Sequence, residues 1–205
     1  MWRAWYVNDP GLQFKSPDQT DPMVDRILDA AEHCIGRYGI RRTSMGEVAR
    51  IGKLSRGSIY HHFGDKDALV QAVLQRRQQT FLNETEAELE KQETLVDKVL
   101  LSVTRGRASA ARGLIANLAE IEPETVAMMY LSPGFYARSV SFWPSHVELA
   151  RSRGEIAASV DVEMATDFLM RLAVSLVMFP HMGMKLDDPQ HLKAYVEQAV
   201  YHGLG

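Results

Sequence analysis

The stretch that decides the fold runs Thr43-Ser-Met-Gly-Glu-Val-Ala-Arg-Ile-Gly-Lys-Leu-Ser-Arg-Gly-Ser-Ile-Tyr-His-His-Phe-Gly-Asp-Lys66. Ser44 to Glu47 has the spacing of a capping box, in which the serine accepts from a first-turn amide and the glutamate reaches back. A short helix over about 45–51 should follow. Gly52-Lys53 breaks it, and Ser55 caps a second short helix that ends near Phe63, ahead of Gly64-Asp65. Upstream, Val24, Ile27, Leu28, Ala31, Ile35 and Tyr38 recur at i, i+3, i+4, i+7, the apolar stripe of one helix. Asp21-Pro22 starts it and Gly39 supplies its left-handed stop. Three helices, the last two short and joined by a tight turn, have the size of a helix-turn-helix reader. In that arrangement the third helix enters the major groove, and the second offers its N-terminal amides to phosphate.

Composition narrows the class. The 205 residues are 46% hydrophobic and 24% charged, an ordinary globular balance. The single cysteine, Cys34, excludes an internal disulfide and a cysteine-based metal cluster, and reads as a small core residue. No two of the seven histidines stand at i, i+4, so no metal site is expected, and no cofactor. Neither a long apolar span nor a basic-then-apolar leader is present, so the expectation is a soluble cytoplasmic protein with no membrane partner. The net charge of −3 is unevenly divided. Residues 22–77 carry ten basic and six acidic side chains, whereas 78–205 carry eleven and seventeen. A basic block on an acidic body suits one end that meets a polyanion.

The rest of the chain keeps a helical period, with no alternating strand and no repeat. A long helix is expected from Lys66 towards Lys91, then helices over Leu95–Arg105 and Ala110–Glu120, and one opening at Pro123. Ser132-Pro133-Gly134 reads as a turn and Pro144 as a kink or cap. Asp161 caps an apolar helix to about Phe179, and Asp188-Pro189 opens the last one. The fold class is therefore all-α: an N-terminal three-helix domain of helix-turn-helix size plus a larger helical domain. The expected division is a tail or arm at 1–20, a domain at 21–81 with the motif at about 44–63, and a helical domain at 82–205.

The motif is also specific in type. Ser55, Gly57, Ser58, Tyr60, His62, Phe63, Lys66 and Leu69, in this register after Thr43 and Val48-Ala49, resemble the DNA-binding domain of the TetR family of bacterial transcriptional regulators. The resemblance covers about residues 22–80; beyond that it extends only to length and helicity. Two departures stand out. The family's turn glycine comes one residue early, at Gly52, so either the second helix stops sooner or Lys53 goes left-handed at about 1–2 kcal/mol. Gly46 stands where many members carry a long polar side chain.

The resemblance implies a ligand-responsive regulator, a repressor by preference, binding a palindromic double-stranded operator as a homodimer, with no catalytic residues. Thr43, Ser44, Arg56, Gly57, Ser58, Tyr60, His61, His62 and Lys66 are the expected DNA contacts. Arg56 is assigned to base edges and Lys66 to phosphate. An unidentified apolar or amphipathic effector is expected among Leu101, Leu114, Leu118, Met128, Met129, Phe135, Phe142, Trp143, Phe168 and Met178, oriented by Arg138, His146 or Arg171. The dimer is expected through Leu169, Leu172 and Leu176 of one helix and Leu192, Tyr195, Val196, Ala199 and Val200 of the last. The alternatives are a helical-bundle enzyme or carrier with an incidental helix-turn-helix, and an architectural DNA protein indifferent to small molecules. Against the first, the chain has no phosphate loop, nucleophile elbow or dinucleotide fingerprint.

Overall fold

A computed structural model describes residues 21–179 and 184–204; the tail or arm proposed at 1–20 lies outside them. The described chain is all helix and connection: α1 (Pro22–Arg42), α2 (Met45–Gly52), α3 (Arg56–Phe63), α4 (Lys66–Leu89), α5 (Leu95–Ala110), α6 (Gly113–Ile121), α7 (Pro123–Tyr130), α8 (Pro133–Val140), α9 (Trp143–Ser152), α10 (Val162–Met178) and α11 (Pro189–Gly203). Among the described residues no helix is long and apolar enough to cross a membrane, and no metal-type cluster forms.

Helix starts follow short polar caps. Asp21, Ser44, Ser55, Asp161 and Asp188 each accept from an amide two or three residues on, at 2.8–3.2 Å. The capping box at Ser44 is only half made, because Glu47 turns away to pair with Arg50. Pro133 is not in a plain turn; it opens α8, with Ser132 accepting from Phe135. Gly39 leaves the helical region (φ 80°), and a further turn carries α1 to Arg42.

Contacts divide the chain into two compact units. The first holds residues up to Thr80 together with 112–135, and the second holds 81–111 and 136 onward. The return of α6 and α7 to the first unit was not visible in chain order. In that unit Ile27, Ala31 and Ile35 of α1 pack with Val48 of α2, Ile59 and Phe63 of α3, and Leu69 and Val73 of α4. Leu114 and Leu118 of α6 complete the same core.

In the second unit α5 packs against both α10 and α11. Val99 and Val103, Trp143 and Val147, Leu169 and Leu176, and Val196 and Val200 are all buried there. Lys98 is buried too, and its ammonium donates to the Leu89 carbonyl at the end of α4. Burial holds its pKa below the usual lysine range.

Candidate nucleic-acid interface

The third helix has two anchors. Ile59 and Phe63, one turn apart, face the core, and this turns the opposite side of α3 to solvent. Gly57 and His61 lie on that side, and Arg56, Tyr60 and His62 are exposed beside it, Tyr60 with half of its surface free. Ser58 is half-buried, its amide held by the Ser55 hydroxyl at 3.0 Å. Ser44 is exposed at the start of α2. The structure thus brings eight of the nine expected contacts to one small domain with their side chains exposed or half-exposed.

Thr43 is the exception and corrects the expectation. Its side chain is buried, and its hydroxyl donates to the Gly39 carbonyl at 2.7 Å. It closes the last turn of α1 and is not presented to a ligand. Lys66 reaches a backbone oxygen as well: its ammonium donates to the Arg41 carbonyl at 3.1 Å, at the end of α1. A lysine has three donors, so this contact orients the charge and leaves two N–H groups free.

The turn between α2 and α3 settles where the displaced glycine leads. Lys53 is left-handed (φ 51°, ψ 49°), and the helix runs through Gly52. Gly52 is needed for room instead: a Cβ there would lie 2.8 Å from Leu54 Cδ1 and 3.0 Å from Ala30 Cβ. Close approach of α2 to α1 therefore selects glycine at 52, and the strain moves to Lys53.

One structural group was missed in the sequence. Glu122, buried between α6 and α7, accepts from the Arg41 amide at 2.9 Å, while the Arg41 guanidinium pairs with Glu124. A Cβ on Gly39 would collide with that Glu122 carboxylate. Gly39 thus serves a positive φ and a close approach at once. No local pattern links residues this far apart.

The comparisons bear on this domain directly. The sequence model described as bacterial regulatory proteins, tetR family, matches residues 27–73, from the middle of α1 into α4. The N-terminal segment is thus similar to the DNA-binding part of the TetR family. The chain is similar along most of its length to the transcriptional regulator UidR of Escherichia coli, at 24% identity over 164 residues, covering 78% of this chain and 82% of that protein. Among solved structures, Salmonella enterica GusR aligns with a TM-score of 0.63 at 26% identity, over 88% of this chain and 97% of that one. A triclosan complex of SmeT, a Stenotrophomonas maltophilia repressor, has the same fold, with a TM-score of 0.62 at 19% identity over 90% and 95% of the two chains. The protein is a DNA-binding transcriptional regulator and not an enzyme.

The expected effector residues of this chain do not form one group. Leu114 and Leu118 belong to the core of the first unit, and Met128, Met129 and Phe135 are partly buried in that same unit. Leu101, Arg138, Phe142, Trp143, His146 and Met178 lie in the second. There Phe142 stacks on Trp143 at 5.0 Å, His146 meets both rings edge-on, and its Nε2 lies 3.3 Å from Glu86. Burial lowers the Arg138 pKa. Phe168 and Arg171 face outward on α10, Arg171 paired with Asp167 at 2.5 Å. The first unit also has a groove of about 820 Å³, lined by Glu32, Arg37, Arg76, Arg77 and Asn117, but it is charged rather than apolar.

The expected dimer residues need a correction as well. Leu169, Leu176, Leu192, Val196 and Val200 are buried within the single chain, filling the core of the second unit. Leu172, Tyr195 and Ala199 stay at least partly exposed. The apolar side chains left in solvent on these helices are Met164 (75% exposed), Phe168, Phe179, Tyr195 and Tyr201. A Cβ on Gly203 would lie 3.3 Å from the Phe168 ring, so the end of α11 adjoins this side of α10.

Proposed function

We propose that this regulator is a ligand-released repressor that binds a palindromic operator as a homodimer. The observation that carries it is the exposed side of α3. Arg56, Tyr60 and His61 are exposed on a helix that Ile59 and Phe63 anchor to the core. Ser44 and Lys66 supply flanking phosphate contacts, and Ser58 and His62 line the edges of the same surface. The repressor role follows the description of SmeT as the repressor of an efflux pump.

A second copy of the chain is the partner proposed for the outer side of α10 and α11. Support comes from Met164, Phe168, Phe179, Tyr195 and Tyr201, apolar groups left in water by the single chain. Two-fold pairing would set two recognition helices about 34–36 Å apart, or a multiple, and would read an inverted repeat.

The effector is proposed to be apolar or amphipathic and to bind in the second unit near Leu101, Phe142, Trp143 and Met178, with Arg138 or His146 orienting a polar end. The aromatic stack and the half-buried Arg138 support this reading, and the SmeT complex with triclosan is a fold-level parallel. Selection of duplexes from a random pool should return an inverted repeat. A thermal-shift screen of apolar compounds should then find molecules that release that duplex. Equal affinity for selected and scrambled duplexes would overturn the operator reading, and tight binders that leave DNA affinity unchanged would overturn the release.

A further inference from the structure

Arg56 occupies the first position of α3, yet its guanidinium lies against α2. A Cβ built on Gly46, in the first turn of α2, would stand 2.7 Å from Nη2, 3.1 Å from Cζ and 3.2 Å from Nε of Arg56. The Nε–Nη2 edge of the guanidinium therefore occupies the space that a side chain at 46 would need. Gly46 is not among the residues with positive φ, so its backbone does not call for glycine. The room it leaves is what the structure uses.

The surroundings give this charge no protein partner. Glu47 is the only carboxylate on α2, and both of its oxygens are taken by Arg50. Among the described residues Arg56 makes no ion pair or hydrogen bond. Beside it, the first-turn amides of Met45 and Gly46 have no partner among the described residues, since Ser44 accepts only from Glu47 and Val48 there. A planar guanidinium fork next to free amides matches the oxygens of a phosphodiester. A base reader would instead extend from α3 towards the groove floor.

We infer that Arg56 grips a backbone phosphate of duplex DNA from a seat made by Gly46, and is not the base reader that its place in the recognition helix suggests. The assignment rests on the DNA-binding reading above. Gly46 is then a positioning residue that acts through Arg56.

The test is a double-mutant cycle of Gly46→Ala and Arg56→Ala. Each protein is titrated against a duplex selected from a random pool by the unmodified chain and against a scrambled duplex, over a range of salt. Alanine favours the helix more than glycine does, so Gly46→Ala should keep or raise the melting temperature. Each single variant should lose about ten-fold in affinity on both duplexes alike, the strength of one charged hydrogen-bonded contact. The salt slope should fall by about one. The double variant should bind as Arg56→Ala does.

Arg56→Ala weakening only the selected duplex would make Arg56 a base reader and overturn the assignment. Gly46→Ala binding as the unmodified chain does, or its loss multiplying with that of Arg56→Ala, would remove the glycine from the device. An unmodified chain that binds neither duplex at low salt would instead overturn the DNA-binding reading itself.

Discussion

On α3, the side chains with recognition chemistry are the ones that the core leaves out. On α10 and α11, the side chains first assigned to a partner are the ones that the core takes in: Leu169, Leu176, Leu192, Val196 and Val200 are buried in one chain. The difference lies in how much each pattern constrains. An eight-residue helix with only Ile59 and Phe63 to bury has one way to face, and everything opposite is presented. α10 is apolar on several sides, so the stripe that fills its own core and the stripe left in water look alike in sequence. Periodicity shows that a face is apolar but not what covers it.

The contrast can be broken most severely at Val196. Val196→Glu should place a carboxylate in a fully buried site at a cost above about 4 kcal/mol, so that a urea melt finds an unfolded chain. A folded monomer would return Val196 to the interface. Phe168→Glu tests the other side. It should leave the melting temperature within a few degrees and weaken the proposed dimer by at least about 2 kcal/mol, seen as a monomer by light scattering. A dimer that survives this change would move the partner surface elsewhere.

In the first unit the expected changes are smaller. Glu122→Ala should cost about 1–3 kcal/mol, because the Arg41 amide and the Thr125 hydroxyl lose their acceptor. An unchanged melt would show that water replaces the carboxylate freely. Lys53→Gly should raise stability by about 1 kcal/mol, by relieving the one left-handed non-glycine residue among those described. A loss there would mean that glycine's greater freedom in the unfolded chain outweighs the strain.

Much of the first unit was legible because its signals are local. Asp21, Ser44 and Ser55 are caps within three residues of the amides they hold, and Ile59 and Phe63 are one turn apart. Thr43 misled for a related reason. Its position in the motif suggests a contact, but a hydroxyl four residues after Gly39 can close the preceding helix instead. The effector residues were the least legible. Leu114 and Trp143 carry the same apolar signal, yet one joins the core with α1 and the other lies in the second unit.

By itself the sequence determined the side-chain-capped helix starts, the helix-turn-helix register and the all-α class, because each rests on spacings of a few residues and on side-chain chemistry that acts at short range. Only the tertiary structure decided the rest. It showed which unit claims α6 and α7, that Glu122 meets Arg41 across more than seventy residues, and that Arg56 rests on Gly46. It also separated the stripe of α10 that is core from the stripe left in water. Burial is non-directional: an apolar side chain is satisfied by any apolar neighbour, so the choice among partners is made by the packing of the whole and not by the pattern of one helix.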